Sequence, residues 1–417
     1  MIRAGLLRLG GSMLEQLLAS DRGHRGPRVP CGNGHEARFA GYRDKSFDTV
    51  PGLVTVTRAW YHCAECGHGL APCDAGLGVA GETMSPGRAA MNDIAAAAGP
   101  FAGAARLLEE IGSVRLTVKR VERAAEASGA AVAEASRDRA ALIAARKLVP
   151  LPPAPLPDKL YAAIDGTGVP MTSRETAGRQ GRHEDGRART REVKLAVFFT
   201  QDKLGKDGYP VRDRAPASVI ATFEPAAVFA DLVKAEGIRR GAGHVRQFTI
   251  LGDGAAWIWG IATAKFPEAT QIVDLFHARE HLHSLTRSLE FMLLDRKDAW
   301  LAARLEDLDY GDIDGIEAAV RKYPLEGVKK DEAERELGYF LNNAPRMRYH
   351  WFRQCGLFTG SGVVEASCKT VIGQRLKQSG MHWTVAGADA ITALRCREAS
   401  STWEAICNTP DTQTRTA

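Results

Sequence analysis

LYAAIDGTGVPM, residues 160–171, is the segment around which the chain is organised. The apolar run Leu160-Tyr161-Ala162-Ala163-Ile164 has the composition of a buried strand, and it delivers one carboxylate, Asp165, to the strand end. Gly166 and Gly168 leave the backbone open to a close neighbour. Two later segments offer acids in similar settings. FTILGDGAAWIW (248–259) repeats strand, Asp and Gly at Asp253, and GSGVVEASCKTVIGQRLK (360–377) sets Glu365 near the start of a helix rich in basic residues, Lys369, Arg375 and Lys377 among them.

Working outward, VKLAVFFT (193–200) and ASVIATF (217–223) read as further strands, 225–241 as a helix, and GAAWIWGIATAKF as a helix beginning just beyond Asp253. TQIVDLFH (270–277) reads as a short fifth strand that leaves Asp274 and His277 at its end, and 278–355 as a helical insertion without strand signal. Three strands, helix, strand, helix, strand is the order of the α/β ribonuclease H-like fold. The long Gly/Arg-rich loop 174–191 interrupts the first two strands, with a charge pattern suited to phosphates. The proline-rich LVPLPPAPLPDK (148–159) marks a linker, so this catalytic domain is expected over 160–277 and 356–400, with 401–417 a polar, unstructured tail.

Upstream, residues 1–28 contain an N-terminal helix, and 29–80 a small metal-dependent module. Cys63-x-x-Cys66 followed by Gly67 is a zinc-knuckle spacing: the turn aims two thiolates at one point. Cys31 and His35 are the best second pair, because 38–61 reads as a hairpin turning at Pro51-Gly52; His62, His68 and Cys73 are alternatives for one position. Zinc would tie the ends of such a hairpin. Residues 84–147 are alanine-rich and helical, opening at Ser85-Pro86. The segment from Val114, with Lys119, Arg120 and Arg123, reads either as the second helix of a helix-turn-helix after Gly112-Ser113 or as a bundle helix with a solvated basic face.

A chain of 417 residues is long enough for two or three domains. Its 45% hydrophobic and 25% charged content is that of a soluble protein, and the absence of any run of ~20 apolar residues excludes a membrane span. Arg3, Arg8 and Glu15 break the apolar N-terminus, which is read as a helix and not a signal peptide, giving a cytoplasmic, nucleoid-associated expectation. The net charge of +5 permits a polyanionic partner. The uneven grouping of eight cysteines favours metal binding in a reducing compartment over disulfides.

Carboxylates converging at strand and helix ends suit a pair of magnesium or manganese ions, which prefer oxygen donors. Asp165, Asp253 and Glu365 are the candidates. Asp274, His277, Glu280 and His281 offer a competing metal constellation, or a polar helix start capped by Asp274; the spacing is not HExxH.

The segments YRDKSFDTV, RAWYHCAECGHGLAP, RLTVKRVERAAEA, LYAAIDGTGVPM, ARTREVKLA, LGDGAAWIW, IVDLFHAREHL, GSGVVEASCKTVIGQRLKQSGMHW and ADAITALRC, spread over roughly 29–397, resemble insertion-sequence transposases of the ISKra type, relatives of the mutator-like group with a ribonuclease H-like DDE domain. The resemblance implies that Asp165, Asp253 and Glu365 are the DDE triad and that Asp274 and His277 are the Asp-x-x-His motif after the second acid. It implies divalent-metal-dependent cleavage at transposon ends and attack of the freed 3′ hydroxyl on target DNA, by a protein that binds double-stranded DNA as a homo-oligomer. The front pair here is Cys31-x-x-x-His35, where the family pattern has two cysteines. The alternatives are a ribonuclease H-like nuclease and a catalytically inactive or co-opted DNA-binding derivative.

Overall fold

The computed structural model describes residues 2–181, 185–214, 217–403 and 414–416. They fall into two compact units, one built on 2–129 and the other on 130–401. The division lies inside a helix, whereas the proline-rich stretch at 148–159 belongs to the second unit.

The first unit begins with α1 (Ile2–Ala19) and continues as β1 (Arg28–Pro30), β2 (Glu36–Thr49), β3 (Gly52–Cys63) and β4 (His68–Leu70), a four-stranded antiparallel sheet in sequence order. The expected hairpin turns at Val50-Pro51, where Gly52 takes φ 137° and Thr49 Oγ1 donates to its carbonyl at 2.5 Å. Two apolar clusters stabilise the long ribbon. Val29, Ala37, Ala59 and Tyr61 pack around Cys31 and Cys63 at one end. Phe47, Val54, Val56 and Val79 pack against Leu14 and Leu18 of α1 at the other. Between them Asp74, on α2 (Pro72–Gly76), is buried with Arg58, which grips it through two bonds of 2.6 and 3.2 Å, and with Lys45 at 3.2 Å.

Helices α3 (Pro86–Ala98), α4 (Phe101–Glu110) and α5 (Val118–Ala144) follow. Ser85 caps α3 as expected, its hydroxyl accepting the Arg88 N–H at 3.4 Å. The turn before α5 is also at the predicted place, with Ser113 left-handed at φ 58°. Lys119, Arg120 and Arg123 are exposed near the start of α5. Two of them are already paired: Lys119 with Glu122 at 2.7 Å, and Arg120 with Asp48.

The second unit is built on β6 (Lys159–Pro170), whose first six residues are all buried. Preceding it, β5 (Leu148–Pro150) pairs antiparallel with β12 (Thr414–Thr416), so the end of the supposedly unstructured tail is a strand; the rest of that expectation, 404–413, lies outside the described residues. After β6 come α6 (Ser173–Thr176), β7 (Thr190–Leu204), β8 (Pro210–Arg212), β9 (Ser218–Thr222), α7 (Ala226–Arg239), β10 (Gln247–Gly252), α8 (Ala256–Lys265) and β11 (Thr270–Val273). The sheet order is β11-β10-β6-β7, with β9 and β8 both pairing β7. Strand β7 runs antiparallel to both of its neighbours β6 and β9, while β10 and β11 run parallel to β6. A central strand covered on both sides explains the unbroken apolar run of 160–164. Within the Arg-rich loop, Gln180 and Arg187 form a bridge; 182–184 lie outside the described residues.

The predicted insertion is α9 (Leu275–Leu293), α10 (Lys297–Tyr310), α11 (Ile313–Arg321), α12 (Gly327–Asn343) and α13 (Tyr349–Gln354). The fifth strand is shorter than 270–277: it stops at Val273 because Asp274 caps α9, its Oδ1 accepting the N–H groups of Phe276 and His277 at 2.6 and 2.9 Å. The last acidic helix is α14 (Gly362–Ser367), a π-helical turn (Cys368–Gly373) and α15 (Gln374–Leu376), followed by α16 (Val385–Ala399). Helix α14 packs on β6 and β7, and α16 on β9. No helix among the described residues is long and apolar enough to cross a membrane.

Candidate acid site and metal centre

Strand register builds the acid site. Ile164 pairs with Gly252, and Gly252 with Val273, across three adjacent parallel strands. The next residue on each is an acid, so Asp165, Asp253 and Asp274 stand in a row stepped by ~4.8 Å, the spacing of neighbouring strands. Past Asp165, β6 does not end but runs on to Pro170 alongside β7.

Asp274 is fully buried, and its second oxygen accepts the N–H of Ser361, the residue that opens α14. One carboxylate therefore brackets the starts of α9 and α14, and with them His277 and Glu365. Burial opposes its charge, but the hydrogen bonds from His277 and Ser361 outweigh this and hold Asp274 below the ordinary carboxylate range. His277 responds in the opposite sense: with Asp274 Oδ1 3.6 Å from its Nδ1, and despite its own burial, it is pushed up to about 9, with Asp253 and Glu280 adding to the pull. Asp165 is held above the usual carboxylate range by burial and by the charge of Asp253, against the Cys368 thiol, the Gly166 N–H and His277.

Among the described residues, the acid group whose ligand atoms all lie within 4.8 Å of one another is Asp274, His277 and Glu365, not the predicted trio of Asp165, Asp253 and Glu365. Asp165 and Asp253 nevertheless feel each other and His277 directly. Partly buried, mutually repelling oxygens at adjacent strand ends are a donor set that suits a hard divalent cation.

Sequence reasoning missed Cys368, whose Sγ donates to Asp165 Oδ2 at 3.4 Å. Its position three residues after Glu365, on the same helix face, was the available signal. The Arg395 guanidinium caps the π-helical turn, bonding the Val371 carbonyl at 3.3 Å and the Thr370 carbonyl at 2.5 Å.

Of the basic residues expected to meet phosphates, Lys369 is exposed, and so is Lys377, which reaches Thr167 Oγ1 at 2.5 Å and feels the charge of Asp165. Arg375 must be corrected. It is buried to 1% exposure over the Trp383 ring, and burial, with Arg395 nearby, lowers it to about 10, so it is part of the packing and not a phosphate contact.

In the first unit the predicted zinc ligands do converge: one atom each of Cys31, His35, Cys63 and Cys66 lies within 4.8 Å of all the others. The Cys31 and Cys66 sulfurs are 3.7 Å apart, close to the ~3.8 Å edge of a tetrahedron of thiolates around zinc. His35 Nδ1 is 3.2 Å from Cys66 Sγ. Gly67, at φ 67°, lets its N–H return to the Cys63 carbonyl at 2.9 Å and closes the knuckle. The Asn33 N–H, 3.5 Å from the Cys31 sulfur, is foremost in lowering that thiol to about 7. Three thiols, an imidazole and this spacing suit a metal ion such as zinc.

No family model matches the chain. A search of curated proteins likewise gives no match.

Proposed function

We propose that the chain is a DDE transposase of ribonuclease H-like architecture, acting on double-stranded DNA. The observation that carries this reading is the register Ile164–Gly252–Val273, which lines up Asp165 and Asp253 beside the helix start bearing Glu365. Support also comes from the strand order, three antiparallel strands followed by two parallel to the first, and from the sequence resemblance to ISKra-type transposases. Asp165, Asp253 and Glu365 would hold magnesium or manganese. Such ions, when bound, activate the attacking and leaving oxygens of an in-line phosphoryl displacement.

The chain's own groups divide the remaining work. Asp274 holds the starts of the two helices that carry His277 and Glu365. His277 supplies positive charge among acids whose mutual repulsion would otherwise spread them. Lys377 and Lys369, exposed after Glu365, would meet DNA phosphates and make binding weaken steeply with salt. Cys31, His35, Cys63 and Cys66 would hold one structural zinc ion, and the zinc module with the exposed basic start of α5 would contribute to recognising transposon ends.

The test is cleavage of DNA carrying the element's ends in Mg²⁺ or Mn²⁺. The wild type should nick or join it, and Asp165→Ala should bind that DNA without cutting. Cleavage by the variant at the normal rate removes Asp165 from the mechanism. A wild type that binds and never cuts selects the co-opted DNA-binding alternative.

A further inference from the structure

One side chain from the helical insertion reaches the middle acid of the row. Tyr339, on α12, donates its hydroxyl to the backbone carbonyl of Asp253 at 2.9 Å. Its ring also occupies the space beside the next residue: a Cβ on Gly254 would sit 2.5 Å from Tyr339 Cε2, and Gly254 is left-handed at φ 103°. Glycine at 254 is thus required twice, by backbone conformation and by the ring against it.

The ring is itself held. His281, one turn after His277 on α9, stacks on Tyr339 with centroids 3.6 Å apart and planes inclined by 19°. His281 Nδ1 in turn lies 2.7 Å from Glu336 Oε2 on the same helix as Tyr339. Glu336 fixes His281, His281 fixes the ring, and the ring fixes the peptide that follows β10. The Asp253 side chain is constrained from the other direction, its Oδ1 accepting the Ala255 N–H at 2.9 Å.

We infer that Tyr339 is a positioning residue for the Asp253 carboxylate, so that the helical insertion sets the affinity of the acid site for divalent cations. This rests on the metal-binding reading of Asp165 and Asp253. Groups that orient a ligand from behind typically alter metal affinity by 10–100-fold when removed.

The full chain can be titrated with Mn²⁺ alone, following free Mn²⁺ by electron paramagnetic resonance, alongside hydrogen exchange of the 252–256 amides and thermal melting. Tyr339→Phe keeps the ring and its stack while losing the hydroxyl. It should weaken Mn²⁺ binding about 10-fold and speed exchange at 252–256, with the melting temperature unchanged. His281→Ala, which frees the ring, should move both readouts in the same direction. Wild-type Mn²⁺ binding that depends on Asp165 but is unaffected by Tyr339→Phe overturns the inference and leaves the site reading intact. A variant that loses affinity only in proportion to a fallen melting temperature also overturns it, because the tyrosine is then merely structural. A wild type that binds no Mn²⁺ in an Asp165-dependent way removes the site reading and the inference together.

Discussion

Cys368 Sγ and Asp165 Oδ2 are 3.4 Å apart, although 203 positions separate them in the chain. Burial first, then the charge of Asp165, push this thiol well above its ordinary range. Because the thiolate is the nucleophile, Cys368 should alkylate at least ~10-fold more slowly than the exposed Cys355 at pH 8. Peptide mass spectrometry after iodoacetamide measures this. Asp165→Asn should narrow the gap, and equal rates in the native protein would contradict the contact.

The buried pair Arg58–Asp74 predicts a large stability loss on truncation. Asp74→Ala leaves the Arg58 guanidinium desolvated without its partner, at a cost of about 3–5 kcal/mol in denaturant unfolding of the full chain. Replacing both together, Arg58→Met with Asp74→Leu, should cost much less. A single-variant loss below ~1 kcal/mol, the range of surface pairs, would show the pair to be solvated.

His277 gives a pH dependence. Its folded value is raised from 6.5 to about 9, chiefly by Asp274, so protonation favours the folded state. That contribution is complete below pH 6.5 and fades as pH rises through about 9. NMR titration of the cation-free protein should place the His277 midpoint near 9, and Asp274→Asn should bring it down toward the ordinary histidine range. A wild-type midpoint near 6.5 would mean that Asp274 does not act on it.

Zinc content is checked by metal analysis. The intact chain should carry about one equivalent on its four-ligand cluster, and Cys63→Ala with Cys66→Ala should lose it. A folded, metal-free wild type would rule the centre out.

Buried Arg375 and exposed Lys369 should separate in DNA binding. Lys369→Gln should reduce the slope of log affinity against log salt by about 1, whereas Arg375→Leu should leave that slope unchanged while altering stability. An equal slope change in both would return Arg375 to the phosphate surface.

The contrast between these two residues also marks what was legible in the sequence. Asp165, Asp253 and Asp274 could be read because strands advertise themselves as apolar runs and each acid follows directly. The knuckle ligands were legible from short spacing and a glycine. The facing of Arg375 was not, since projecting a helix from sequence assumes 3.6 residues per turn, and the π-helical turn Cys368–Gly373 breaks that phase. Tyr339 was equally hidden: a contact between residues 86 apart leaves no local pattern. Nor does composition tell whether Asp274 serves as a ligand or as a bracket, which depends on the N–H of Ser361, 87 residues away.

The wide turn has a consequence for how this helix tolerates change. Its loosened carbonyls at Thr370 and Val371 are claimed by Arg395, so the bulge is stapled open from outside the helix. Deleting one codon there would let the segment relax into a regular spiral, withdraw these two carbonyls from Arg395 and swing Lys377 around the axis, while Glu365 upstream stayed where it was. Length in this short segment works as a clock setting, and an edit of a single residue would reset everything downstream of the third acid.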